Sequence, residues 1–185
     1  MNEGLYTAFA GHHRIAAGSL RTVAIAVKRV IDSAVAGPVL IFDDSTGRAV
    51  DIDIRGSEEE IADADAGTGR PRGRGRPKLG VVPREVTLLP RHWEWLAAQP
   101  GGASVALRKL VEEARRTHAE ADRRRRALES AYHFMSAMAG DMPGFEEAAR
   151  ALFAADERRL RKWMAAWPDD VRDHAVALAF GHPLP

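Results

Sequence analysis

The sequence contains, at residues 39–54, the stretch VLIFDDSTGRAVDIDI. Its first four residues, Val39–Phe42, form a continuous apolar run, which predicts a buried strand. Ser45–Thr46–Gly47 is typical of a turn. Residues 49–54 then alternate between apolar and polar side chains, which predicts a second strand with one buried face. The stretch therefore predicts a β-hairpin, so the fold contains a sheet.

The residues before this hairpin predict a helix and a second hairpin. Apolar side chains recur at helical spacing between Thr22 and Val35, and Gly37–Pro38 ends that helix. Leu5 to Leu20 predicts a hairpin that turns near Gly11–His12–His13. We therefore expect residues 1–56 to form a small α+β unit with the order ββαββ.

The residues after it predict a linker and then helices. Residues 57–83 are first acidic and then rich in Gly, Pro and Arg, which is typical of a linker. The expected helices cover Pro90 to Gln99, Ser104 to Ala139, and residues 144–155, 156–167 and 168–180, with a break at Gly140–Pro143. Asp156 is a candidate N-cap and Gly181 a candidate helix end. The predicted fold class is α+β with a mainly α-helical C-terminal half. That half contains a segment of one strand and two helices at residues 84–116 and a helical region at residues 117–185.

The composition excludes several function classes. The chain has 185 residues, 27 basic and 26 acidic side chains and no cysteine, which excludes disulfides, thiolate metal sites and cysteine nucleophiles. It has no apolar run of about 18 residues that could span a membrane. Its first residues do not follow the pattern of a secretory signal. We therefore expect a cytoplasmic protein without membrane contact.

The near-zero net charge conceals a strong asymmetry. Residues 1–66 contain 6 basic and 11 acidic side chains, residues 67–126 contain 15 and 6, and residues 127–185 contain 6 and 9. A basic middle segment rich in Arg favours a polyanionic partner, of which nucleic acid is the commonest. The alternative interpretation is a solvated linker and helix face.

The core of the linker, Arg74–Gly75–Arg76–Pro77, resembles an AT-hook, a peptide that binds the minor groove of DNA. The narrow groove of A·T-rich DNA has an enhanced negative potential that attracts inserted Arg side chains. Gly leaves room for the backbone to lie deep in the groove, and Pro keeps an extended course. Candidate contacts are Arg72, Arg74, Gly75, Arg76, Pro77 and Lys78. A flexible linker and an RNA-binding segment remain alternatives.

The next stretch, residues 84–116, resembles a ribbon-helix-helix domain. It has a short alternating segment at Glu85–Leu89, a Pro start to a helix, a Gly-containing turn, Ser104 as a cap and an apolar stripe on the second helix. The resemblance implies two strands, one from each of two chains, that pair and enter the major groove. It also implies that the first turn near Ser104 holds a phosphate.

A single strand leaves its backbone groups unpaired, so the resemblance predicts a homodimer. By alternation, Val86 and Leu88 face the core, while Glu85 and Thr87 face outward. Arg84, Glu85, Thr87 and Ser104 therefore join the candidate DNA contacts. An outward acid and the apolar Leu89 depart from the family pattern and weigh against direct reading of bases. The alternative is a helical hairpin that never meets DNA.

Other motifs give little support for catalysis or metal binding. The seven His residues include no His-Glu-x-x-His pattern, and no phosphate-binding glycine loop or nucleophile elbow occurs. Asp43–Asp44 and Asp51–Asp53 could bring carboxylates close together across a hairpin. General acid–base catalysis needs a pair in contrasting environments, and nothing in the sequence indicates one. We expect no enzyme activity, no metal and no cofactor. Arg123–Arg126 is either a solvated helix surface or a phosphate-contacting edge. The large aromatic residues are expected in the core: Trp93, Trp95, Phe145, Phe153, Trp163 and Trp167.

Nearly the whole chain also resembles a bacterial family catalogued as a domain of unknown function. The stretches that carry this resemblance are residues 75–82, 85–96 and 138–148. The family implies no activity. The residues predict a DNA-binding homodimer that acts as a transcriptional regulator or as an antitoxin-like protein. A protein-interaction module without nucleic-acid binding is the alternative.

Overall fold

The computed structural model describes residues 5–33, 37–52 and 82–182. They form a mixed α+β protein with a small N-terminal antiparallel sheet and a mostly helical C-terminal half, which confirms the predicted fold class. The strands are β1 Tyr6–Ala10, β2 His13–Gly18, β3 Val39–Asp43 and β4 Arg48–Val50. The helices are α1 Leu20–Asp32, α2 Pro90–Ala97, α3 Gly102–Ala139, α4 Phe145–Phe153, α5 Glu157–Trp163 and α6 Asp169–Phe180.

The described residues divide into two compact units. The first unit combines the described parts of Met1–Gly69 with Arg123–Pro185, and the second lies within Arg70–Asp122. The sequence assigned residues 1–56 and residues 117–185 to separate regions. In the structure, Phe9 and Phe42 of the N-terminal sheet share a core cluster with residues of helices α3 to α6. Helix α3 contributes residues to both units.

The sheet has the strand order β2-β1-β3-β4, and all neighbouring strands are antiparallel. Both hairpins lie where the sequence predicted them. In the second hairpin, Ile41 pairs with Val50 and Asp43 with Arg48. Strand β4 ends at Val50, earlier than the alternating pattern predicted, and residues 53 and 54 lie outside the described residues.

The sheet is covered on both faces. On one face, Ala8 and Ile41 pack against Val23 and Val27 of α1. The other face packs against the helices of the C-terminal region, and the Phe42 ring lies 4.9 Å from the Phe134 ring of α3. This two-sided burial explains why Val39–Phe42 is continuously apolar rather than alternating.

The ends of the C-terminal helices follow the predicted capping pattern. The Asp156 side chain accepts a hydrogen bond from the Arg159 backbone N–H at 2.9 Å, which confirms it as the N-cap of α5. Gly181 adopts φ 71° at the end of α6, a left-handed conformation that favours glycine. Among the described residues, no helix is long and apolar enough to cross a membrane.

The expected aromatic core is only partly correct. Trp167 is buried, its indole N–H donates to the Pro143 carbonyl at 3.0 Å, and Phe145 is half-buried. The prediction was wrong for the other four aromatic residues, which are exposed: Trp93, Trp95, Phe153 and Trp163. Helical spacing identifies a shared face but does not show whether another element covers that face.

Candidate nucleic-acid interface

Six of the ten predicted DNA contacts belong to the hook-like segment. They are Arg72, Arg74, Gly75, Arg76, Pro77 and Lys78, and all six lie outside the described residues. The remaining four, Arg84, Glu85, Thr87 and Ser104, lie in the second unit.

The predicted ribbon lies in the segment before α2. Residues 82–89 form neither strand nor helix in the single chain, and Arg84, Glu85 and Thr87 are exposed. Val86, which was expected to face a core, is 53% exposed, and Leu88 is half-buried. A strand at this position requires a partner edge, so the ribbon stays a prediction for an assembly of two chains.

Helix α3 begins two residues before Ser104. Because its first residue is Gly102, Ser104 lies inside the first turn, and the expectation that Ser104 caps the helix was wrong. The Ser104 side chain is exposed, and its carbonyl accepts a hydrogen bond from Nε of Arg108 at 3.1 Å. Sequence reasoning did not single out Arg108, which brings a guanidinium to the turn where a phosphate was expected.

The second unit exposes many large apolar side chains. Leu96 and Ala106 are buried, whereas Trp95 is 53% and Val111 56% exposed. A shallow depression of about 170 Å³ between α2 and α3 is lined by Trp95, Pro100, Ala106 and Leu110, among others. The other exposed apolar residues of this unit are Val82, Val86, Leu89, Trp93 and Leu110. We call them the exposed apolar residues of the second unit.

The described part of the second unit carries balanced charge. Residues 82–122 contain six basic and six acidic side chains. Within it, Arg115 pairs with Glu112 at 3.3 Å. The positive excess of the chain's middle therefore lies on either side, at residues 70–78 and at Arg123–Arg126.

The structure also joins two polar residues that sequence reasoning treated separately. His174 is 1% exposed, and its Nε2 atom lies 3.4 Å from Oδ1 of Asp44. The Thr7 hydroxyl donates to the other carboxylate oxygen of Asp44 at 2.9 Å. The His174 ring packs against Phe9 and Phe134. Because a buried ring in an aromatic cluster offers a substrate no access, we interpret His174 as a packing residue that ties α6 to the β3–β4 turn.

Among residues 5–33, 37–52 and 82–182, no group of three or more His, Asp or Glu side chains could hold a metal ion.

Comparison with known proteins gives one match. Residues 5–179 match the model of a family described as "Uncharacterized protein conserved in bacteria (DUF2239)". No curated protein and no solved structure matches the chain. The family description names no activity, so any functional argument rests on the residues themselves.

Proposed function

Because the chain belongs to this family of uncharacterised bacterial proteins, we propose its function from its own residues: it binds DNA as a homodimer. The observation that carries the proposal is the Arg74–Gly75–Arg76–Pro77 core within a segment, Arg70–Lys78, that contains five basic residues. Such a segment suits the narrow, strongly negative minor groove of A·T-rich DNA. Transcriptional regulation or an antitoxin-like role would use this binding.

The exposed apolar residues of the second unit support the homodimer. Seven large apolar side chains of its described residues are exposed, and burying such surface against a partner is favourable. A second copy would cover Trp93, Trp95 and Val111 and would offer a partner edge to residues 85–89. The interface would then bury apolar area and satisfy the backbone groups of the predicted ribbon.

In this arrangement two further elements, the ribbon and the first turn of α3, contact DNA. Glu85 and Thr87 would lie on the ribbon surface in the major groove, where Thr87 could touch a thymine methyl and Glu85 could accept from a cytosine amino group. The first turn of α3, with the N–H of Ser104 and the charge of Arg108, would contact a backbone phosphate. The exposure of all four side chains is compatible with these roles.

A protein-interaction module without nucleic-acid binding is the second candidate. The observation that favours it is the balance of six basic and six acidic residues in 82–122, together with the exposed apolar residues of the second unit. In that case the basic segment would only keep the chain soluble.

A mobility-shift assay at two salt concentrations separates the two candidates. The hook predicts preference for A·T-rich over G·C-rich duplex and an affinity that falls steeply with salt. The double variant Arg74→Ala/Arg76→Ala should lose the preference and lower the salt slope by about two, since each phosphate-equivalent contact contributes about 0.9. Arg158→Ala/Arg159→Ala, which removes the same charge from exposed positions of α5, is the matched control. Equal slopes for the wild type and the hook variant would refute the hook.

Light scattering and a second variant test the dimer and the ribbon. A clean monomer at micromolar concentration would contradict the homodimer. Glu85→Ala should relax preference at one base pair and strengthen non-specific binding, because it removes a negative charge from the path of a polyanion. Unchanged site preference together with unchanged affinity would rule out the ribbon in the groove.

A further inference from the structure

A polar pocket lies in the first unit, between the β3–β4 turn and helix α3. It has a volume of about 250 Å³. Its lining includes Ser45, Thr46 and Arg48 from the turn and Arg126, Glu129 and His133 from the helix. The turn and the helix are far apart in the sequence, so no local sequence motif predicted this site.

The two walls of the pocket are held together by close packing. The Ser130 hydroxyl donates to the Asp44 carbonyl at 2.9 Å. Gly47 lies so close to α3 that a Cβ atom added there would come within 1.8 Å of the Ser130 carbonyl oxygen. On the turn side, the Asp43 carboxylate accepts from the Ser45 N–H at 2.8 Å and from the Ser45 hydroxyl at 2.7 Å. The pocket is therefore preformed, which lowers the entropic cost of binding a ligand.

Two guanidinium groups, those of Arg48 and Arg126, line the pocket. Arg48 Nη2 lies 3.1 Å from Nε2 of His133. Because a guanidinium only donates, the His133 ring nitrogen can only be the acceptor in this contact. Among the described residues, neither Arg48 nor Arg126 has a carboxylate within ion-pair distance. Glu129 is the acid of the lining, and its carboxylate lies 3.8 Å from Nε of Arg125.

We propose that this pocket binds a phosphate group through Arg48 and Arg126. The planar fork of a guanidinium matches two phosphate oxygens, and a charge-assisted pair of this kind is stronger than a neutral hydrogen bond. The Thr46 hydroxyl lies on the same wall, and its bond to the Asp43 carbonyl is long, at 3.4 Å. The phosphate belongs either to a small phosphorylated ligand or to a DNA backbone. None of the lining residues belongs to the predicted hook or ribbon, so the site does not depend on them.

Titration of the full-length protein with inorganic phosphate tests the proposal. Side-chain NMR signals of Arg48, Arg126 and His133 should shift with phosphate and not with chloride at equal ionic strength. Arg48→Gln and Arg126→Gln should each weaken phosphate binding roughly tenfold, which is about 1.4 kcal/mol, because each removes a charge-assisted hydrogen bond. Arg158→Gln removes the same charge from an exposed position on α5 and should leave the affinity unchanged. Glu129→Gln should strengthen binding, because it removes the acid from the lining.

A second measurement identifies the source of the phosphate. If the pocket holds a DNA phosphate, Arg48→Gln should lower the salt slope of duplex binding by about one. If it holds a small ligand, the slope should stay as in the wild type while the affinity for phosphate falls. Phosphate affinity and salt slope that are both unchanged in Arg48→Gln and Arg126→Gln would overturn the proposal. A protein that binds phosphate here but never binds DNA would leave this site intact and refute only the proposed function.

Discussion

The close approach of Gly47 to helix α3 gives a sharp prediction about stability. Gly47 has φ 65°, and a Cβ atom there would lie 1.8 Å from the Ser130 carbonyl oxygen. Gly11, in the other hairpin turn, has φ 56° and open space around it. Gly47→Ala and Gly11→Ala therefore carry the same left-handed strain and differ only in the clash.

The expected magnitudes follow from these two environments. Gly11→Ala should lower the free energy of unfolding by about 1–2 kcal/mol, the cost of left-handed backbone for a residue with a Cβ. Gly47→Ala adds overpacking against rigid backbone, about 1–3 kcal/mol, and loss of the Ser130–Asp44 hydrogen bond, about 0.5–1.5 kcal/mol. We therefore expect a total loss of about 3–6 kcal/mol for Gly47→Ala.

Urea unfolding followed by circular dichroism and tryptophan fluorescence measures both losses. Trp167 lies in the same unit and is buried, so its emission reports the loss of that core. Equal destabilisation by the two substitutions would refute the close packing of the β3–β4 turn on α3. It would also remove the argument that the polar pocket is preformed.

Three further predictions concern the first unit. Phe134→Ala should cost about 3–5 kcal/mol and raise amide exchange in strand β1 and helix α6 together, whereas Phe153→Ala, at a position 55% exposed, should change stability little. Asp156→Ala should cost about 1 kcal/mol in urea unfolding through loss of the N-cap of α5, and Asp156→Asn should restore most of it. The pKa of Glu157 is lowered, chiefly by its hydrogen bond to His182, so its contribution to stability should be present at neutral pH and lost as the pH falls through that lowered pKa. NMR titration should show a higher carboxyl pKa for Glu157 in His182→Ala, and an unchanged value would contradict the bond.

The local structure could be predicted from short patterns in the sequence. The hairpin at residues 39–50, the break after Ala139, the cap at Asp156 and the helix end at Gly181 all follow from residues within a few positions of each other. Backbone conformation depends mainly on such neighbours, so these patterns were sufficient.

Tertiary packing could not be predicted in the same way. Nothing in the sequence shows that Phe9 and Phe42 lie against Phe134, or that Trp95 lies on an uncovered face. Likewise, Arg48 and His133 belong to different segments, and only packing of the turn on α3 brings them within 3.1 Å. The polar pocket therefore could not be predicted from the sequence, although Arg126 belongs to the predicted phosphate-contacting edge at Arg123–Arg126.

The first unit combines two segments that are distant in the sequence, and this has a consequence for protein synthesis. The strands of its sheet precede the helices that cover one face of that sheet, so they are synthesised first. The Arg14 backbone N–H donates to the Asp170 carboxylate at 2.9 Å across 156 positions of sequence. On the ribosome, Phe9 and Phe42 therefore stay uncovered until helices α3 and α6 have left the exit tunnel. Such a delay exposes apolar surface and unpaired strand edges to other nascent chains, so we expect the chain to need chaperones during translation.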